Sequence, residues 1–439
     1  MWMLRNLAFE SGYVRRHQAG WVVLLCSGAV LGCHDQTLQP RGSATRLAFT
    51  VQPSNTPAAA VISPPVQVAT QDASGITVPS FTGNVTISIG SNPAGGSLAG
   101  TRTVAASSGV ATFSALSIDL AGSEYTLIAS APGLSAAASS AFTVACGTDC
   151  WSVNAAMPTG RTNLGVGVAN GVLYSVGGYQ GIDAVGTVEA YDAGTNSWTT
   201  KAPMPTARLG LGVSVVNGVL YAVGGFAPFV GPLATVEAYD PATNTWTTKA
   251  PMPTAREYLA VGVVNGILYA VGGYVLPGGA QTATGAVEAY DPVSDTWTAK
   301  ASVPTARGEL AVGVVNGILY AVGGTALNNV VEAYDPVANT WTTKAPMPTT
   351  RSGLGVGVLN GVLYAVGGVP VPGSSSGFMA KVEAYDATTN TWTTKASMPS
   401  ARSELGVGVL NNILYAIGGY AMIGANSYTQ VGTNEAYSP

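Results

Sequence analysis

Residues 208–253 read RLGLGVSVVNGVLYAVGGFAPFVGPLATVEAYDPATNTWTTKAPMP, and turn chemistry divides them into four runs. The first run, Leu211 to Val216 (strand a), reaches Asn217-Gly218, which supplies the two positive φ values of a two-residue hairpin turn into Val219 to Val223 (strand b). A loop follows Gly224-Gly225. Then come Thr235 to Tyr239 (strand c), a polar turn at Asp240-Pro241 with Asn244, and a run around Trp246 to Lys249 (strand d). Pro251 and Pro253 stop that last run, as suits an outer strand. The segment is predicted to be a four-stranded antiparallel sheet.

The unit repeats. Its glycine doublet recurs at Gly177, Gly224, Gly272, Gly323, Gly367 and Gly418, at spacings of 44 to 51 residues, a period that points to propellers or arrays. With it recur an opening Arg (Arg161, Arg208, Arg256, Arg307, Arg351, Arg402) and the Glu of a Glu-Ala-Tyr triplet (Glu189, Glu237, Glu288, Glu332, Glu383, Glu435). Four antiparallel strands repeated six times make a six-bladed β-propeller. The sixth unit ends at Pro439 without an outer Trp run, whereas Trp151, in Cys150 to Asn154, is an outer run with no unit before it. The two fragments are predicted to complete one blade and fasten the chain's ends together.

The doublet, the Tyr and Trp at their separations and the opening Arg together resemble the kelch family over about 290 residues, 151–439. The resemblance implies that the doublet lets the backbone pack closely and that Tyr and Trp pack between blades. It leaves function open, because the family includes copper oxidases, sugar epimerase-like proteins and pure binding scaffolds. A copper oxidase of that type needs His ligands and a cysteine-linked tyrosine, and residues 151–439 contain neither His nor Cys. Ser-His and Cys-His nucleophilic catalysis fail for the same reason. Paired carboxylates among Glu257, Glu309 and Glu404 are the remaining acid–base option. No enzyme, catalytic residue, cofactor or metal is expected. Repeated in every blade, the Arg and Glu read as structural, and Asp240-Pro241 as turn chemistry rather than a calcium site.

Upstream, Arg15-Arg16 precede an apolar stretch from Ala19 to Leu31, a secretory pattern too short for a mature spanning helix. Val30-Leu31-Gly32-Cys33 resembles a bacterial lipobox, which implies a signal peptide over 1–32 and a lipid on Cys33. An ordinary cleaved signal is the alternative. Residues 33–44 are polar and read as a tether, and 146–150 as a linker in which Cys146 and Cys150 could close a disulfide in an oxidising envelope. Between them, residues 45–145 carry about seven short alternating runs, the pattern of a β-sandwich. The segments Leu47 to Ser54 and Gly109 to Leu116 are similar to bacterial immunoglobulin-like repeats of cell-surface proteins, which implies an immunoglobulin-like spacer or adhesive module.

Composition narrows the rest. Only 9% of residues are charged and the net charge is −4, so the clustered cations that nucleic-acid binding requires are absent. Gly, Thr, Val, Tyr and Trp abound over Lys, Glu and Gln, which favours an all-β chain. No apolar run reaches the roughly 18 residues of a spanning helix.

Comparing the repeats locates a candidate binding face. The Asn-Gly turns are nearly uniform, whereas the pair after each Arg varies, and the stretch from doublet to Glu-Ala-Tyr runs from 7 to 15 residues. In an up-and-down blade these d-to-a and b-to-c connections emerge on one face. Asn163, Tyr179, Phe226, Glu257, Tyr258, Tyr274, Glu309, Glu404 and Tyr420 are the candidate ligand-binding residues there, with rings suited to stack on sugars or anchor a peptide. The expectation is a monomeric, exported, lipid-anchored protein of the bacterial envelope that binds a protein or glycan and meets the membrane only through its anchor. The main alternative is a carbohydrate-active propeller resembling bacterial sialic-acid epimerases. A third is a purely structural envelope component.

Overall fold

A computed structural model describes residues 42–325, 329–370, 377–424 and 427–439. The predicted signal peptide, Cys33 and the tether up to residue 41 lie outside the described residues.

Residues 46–145 form short strands around one apolar core. Arg46–Val51, Val66–Gln71 and Val110–Phe113 make one sheet, and Asn84–Ile89, Thr103–Ala105, Leu127–Ser130 and Ala137–Ala138 a second. Val66, Val68, Val85, Ile87, Phe113 and Leu127 alternate inward and are fully buried. The chain changes sheets at Thr126. Gly122–Tyr125 pairs with Phe142–Ala145, while Leu127–Ser130 pairs with Asn84–Ile89. Thr126 is the corner: its carbonyl and hydroxyl accept bonds from Gly90 N–H (2.8 Å) and Ser91 N–H (2.7 Å), so the backbone turns between sheets without stranding a polar group.

From residue 150 the described residues form six four-stranded sheets, each in strand order a-b-c-d. In the sheet of the quoted repeat, Gly212–Val216 pairs with Val219–Val223 across Asn217-Gly218, whose φ values of 51° and 79° suit the tight turn. Val219–Val223 pairs with Val236–Asp240, and that strand with outer Thr245–Lys249, placing Tyr239 opposite Trp246. The innermost strands neighbour one another in sequence order, and Gly406–Leu410 packs back on Gly165–Ala169, so the ring is closed. Their valines line an axial channel of about 320 Å³.

The closing sheet is built from both ends of the chain. Cys150–Asn154 pairs antiparallel with Asn434–Ser438, with Trp151 opposite Tyr437. Asp149 does here what Asn244 does two sheets on. Its Oδ1 accepts from Ala396 N–H (2.9 Å) and Tyr437 OH (2.5 Å), as Asn244 Oδ1 accepts from Ala202 N–H (2.9 Å) and Tyr239 OH (2.8 Å). The linker reading of 146–150 is therefore corrected, since its last two residues belong to the ring. Cys146 and Cys150 form a disulfide, Cα to Cα 5.9 Å.

Repeated residues hold sheet to sheet. Each opening Arg is fully buried and ion-paired with the Glu of its own repeat, as in Arg256 to Glu288 at 2.7 Å. Arg256 also donates to the carbonyls of Gly272 (2.8 Å) and Ala286 (2.9 Å), so it bridges strands b and c where the doublet parts them. The doublet itself meets the next sheet: Gly225 N–H donates to Arg256 O at 2.8 Å. Gly224, at φ 59°, has no room for a Cβ, which would lie 2.7 Å from that same carbonyl. Tyrosines complete the joint, Tyr221 meeting Tyr290 of the next sheet at 5.9 Å between centroids and Tyr415 meeting Tyr191 across the closure at 5.7 Å.

Candidate functional site

Two residues separate each opening Arg from a buried leucine, and the second of the two turns toward the axis. Asn163, Gly210, Tyr258, Glu309, Gly353 and Glu404 all have φ between 50° and 60°. This is the left-handed region, which costs most side chains roughly 1–2 kcal/mol. Their backbones are joined head to tail. Asn163 N–H donates to Glu404 O (3.0 Å), Gly210 to Asn163 (2.9 Å), Tyr258 to Gly210 (2.7 Å), Glu309 to Tyr258 (3.0 Å), Gly353 to Glu309 (3.2 Å) and Glu404 to Gly353 (2.7 Å). The resulting belt of six hydrogen bonds closes on itself around one end of the axis.

The belt residues line an open recess of about 110 Å³ together with the leucines that follow them, Leu164 to Leu405. An adjoining cavity of about 260 Å³ is walled by Thr162, Asn163, Tyr179, Leu209, Tyr258, Glu404, Tyr420 and Gln430. The two loop sets meet here because the residue after each Arg pairs with the residue after the doublet, as Thr162 does with Tyr179 and Ser403 with Tyr420.

The mouth is acidic. Burial holds the Glu309 carboxyl above the ordinary carboxylate value, a bond from Ser352 opposes this and neighbouring Glu404 adds to it. Burial and then Glu404, Glu257 and Glu309 push the Tyr258 hydroxyl well above the usual phenol range. Glu404 Oε2 accepts from Thr162 Oγ1 (2.8 Å) and Asn163 Nδ2 (2.9 Å), which fixes its carboxylate against the wall. Among the described residues lining the two recesses there is no lysine or arginine, and Lys381 Nζ, just before strand c of the fifth sheet, lies 3.2 Å from Glu383. Among the described residues, no cluster of three or more His, Cys, Asp or Glu side chains is placed to hold a metal.

Of the candidate residues, the structure gathers Asn163, Tyr179, Tyr258, Glu309, Glu404 and Tyr420 around these two recesses. It leaves three outside them. Glu257 is buried and accepts from Gln281 Nε2 (2.7 Å), and burial raises its pKa. Tyr274 packs edge-on against Tyr258 at 6.2 Å and donates to Thr325 Oγ1 (2.7 Å), so it supports a wall rather than forming one. Phe226 is half-buried, strand-paired opposite Pro232. Sequence reasoning missed Gln430, Thr162 and the leucines. A leucine three residues after every opening Arg was a visible signal for the last. Gln430 ends the strand Ser427–Gln430, paired with Tyr420, in a connection that the other repeats do not share, and gave none.

A family model described as the Kelch motif matches residues 160–205, 207–253, 255–304, 306–348 and 350–399, together over half of the chain. A solved structure titled "Structure of YjhT" shares the fold at 19% identity, with a TM-score of 0.55, covering 64% of this chain and 95% of that one. Kelch-like protein 41 from Homo sapiens is 49% identical over 47 residues, 11% of this chain and 8% of that protein. With repeats matching over most of a closed ring of sheets whose neighbour in fold is a kelch propeller, this chain belongs to the kelch-repeat family.

Proposed function

We propose that the chain is an exported, lipid-anchored binding protein of the bacterial envelope, in which an immunoglobulin-like sandwich presents a six-bladed kelch propeller and the propeller captures a protein or glycan at the belt end of its axis. One observation carries the reading. The repeats agree closely in their buried residues, yet at the six belt positions they diverge into Asn, Gly, Tyr, Glu, Gly and Glu. Three of those side chains sit in a backbone conformation that disfavours them, and a strained residue lining a recess points to use rather than to packing. Binding is favoured over turnover because the recess is supplied with no histidine, the sequence having none after His34.

The test uses glycan arrays and envelope pull-downs with the full chain and with a variant in which Tyr258, Glu309 and Glu404 are all Ala. Capture by the parent and loss in the variant, at a nearly unchanged melting temperature, is expected. Equal capture by both would reject this face. Epimer or anomer turnover by the parent would favour the carbohydrate-active alternative. The anchor is tested separately: Cys33→Ser should release the protein from the membrane fraction.

A further inference from the structure

The cavity at the belt combines two features with different chemistry. Its walls carry three tyrosines, Tyr179, Tyr258 and Tyr420, beside the Glu404 carboxylate, with Glu309 in the adjoining recess. Aromatic faces and carboxylates that meet without a counter-cation suit a cation, which gains from both the charge and the ring quadrupole. Glu309, already short of water, would regain by pairing what it lost on burial.

The second feature lies in the loop tips. Ile182 is 83% exposed, Phe229 fully exposed, Val230 73% and Ile423 65%, with Leu276 and Met422 also exposed. All belong to the b-to-c loops of the sixth, first, second and third sheets, which are consecutive around the ring, and the sixth and first of these loops give Tyr420, Gln430 and Tyr179 to the cavity. The tips adjoin: Gln430 Nε2 donates to Gly181 O at 3.4 Å, linking the sixth and first loops. Phe229 has φ 65°, so a fully exposed aromatic ring is held in a conformation its backbone disfavours. Exposed apolar side chains on four consecutive loop tips suit an interaction surface of protein size. A small amine would leave it uncovered.

We infer that the partner is a protein that inserts a lysine or arginine side chain into the belt cavity while its apolar surroundings dock on the arc formed by Ile182, Phe229, Val230, Leu276, Met422 and Ile423. The inference rests on the belt end being the binding face. The charge centre supplies orientation and the arc supplies contact area, the division expected of a buried anchor inside a rim.

The probe is a capped pentapeptide, Phe-Gly-Lys-Gly-Phe, titrated calorimetrically into the full chain at pH 7.5. Its Nε-acetylated form, which keeps shape and loses charge, and n-butylammonium are the comparisons. Saturable binding is expected, weakened at least about tenfold by acetylation, by added salt and by the double variant E309Q/E404Q, and severalfold by F229S. Melting temperatures of both variants are measured to establish that they fold. Equal binding of the acetylated peptide, abolished by Y258A, would overturn the cation and leave the face intact. n-Butylammonium binding as tightly as the peptide would overturn the protein partner in favour of a small-amine site. Absence of binding by any probe would overturn the inference, and the pull-down with the triple Ala variant would then judge the face by itself.

Discussion

Glu309 sits where the backbone favours glycine or asparagine and where its carboxylate loses water. Its raised pKa means that the neutral form is the better tolerated one in the fold. Its penalty is therefore absent below the ordinary value of 4.5 and grows as pH rises through the raised one. E309Q, which cannot ionise, should melt above the parent at pH 8, and the gap should shrink toward pH 4.5. A pH-independent gap in calorimetric melting temperature would show that this carboxylate is not desolvated. Arg256 and Glu288 are the opposite case, a buried pair whose charges satisfy each other. R256M leaves Glu288 buried and uncompensated and should cost about 3–5 kcal/mol. The double variant R256M/E288L should recover part of that loss in urea denaturation. If the double is as damaged as the single, the pair's hydrogen bonds to the strand carbonyls matter more than its charge balance.

At the scale of the strand, the sixth sheet depends on a residue outside every repeat. Asp149 receives the Tyr437 hydroxyl and the Ala396 amide, and D149A would orphan both. The expected loss is about 1–3 kcal/mol, comparable to N244A in an unbroken sheet and readable in the same denaturation experiment. No loss in D149A beside a clear loss in N244A would mean that the closing strand is not held as the others are. Here the limits of sequence reading have a physical cause. The pairing of Trp151 with the last repeat was legible because the missing outer run and the surplus one could be counted. The part of Asp149 was not, because Thr148-Asp149-Cys150-Trp151 stands outside every repeat and keeps only the Thr and Trp of Thr243-Asn244-Thr245-Trp246. Likewise the positions after each Arg were legible as variable, whereas which side chains point inward depended on the belt. The second residue of each pair turns to the axis, and the first pairs with the residue after the doublet, as Glu257 does with Tyr274.

For the whole molecule, closure converts local pairings into a ring that no single sheet could hold alone. A chain beginning at residue 160 would expose the edge of Asn434–Ser438 and lose the burial of Trp151, at a cost of several kcal/mol, about 3–5 for the tryptophan alone. Melting like the intact protein would contradict the closure. A closed ring is also what holds the belt together, since six left-handed residues are kept in register only if every sheet has two neighbours. The same geometry separates two ends: a uniform one of Asn-Gly turns and a divergent one of belt residues, aromatic walls and apolar loop tips. The most direct test of that separation is hydrogen–deuterium exchange of the full chain, alone and with the partner recovered from the envelope. New protection is expected at 162–163, 257–258 and 403–404 and in the loops after Gly178, Gly225 and Gly419. Protection confined to the turns at Asn170, Asn217, Asn265, Asn316, Asn360 and Asn411 would contradict it.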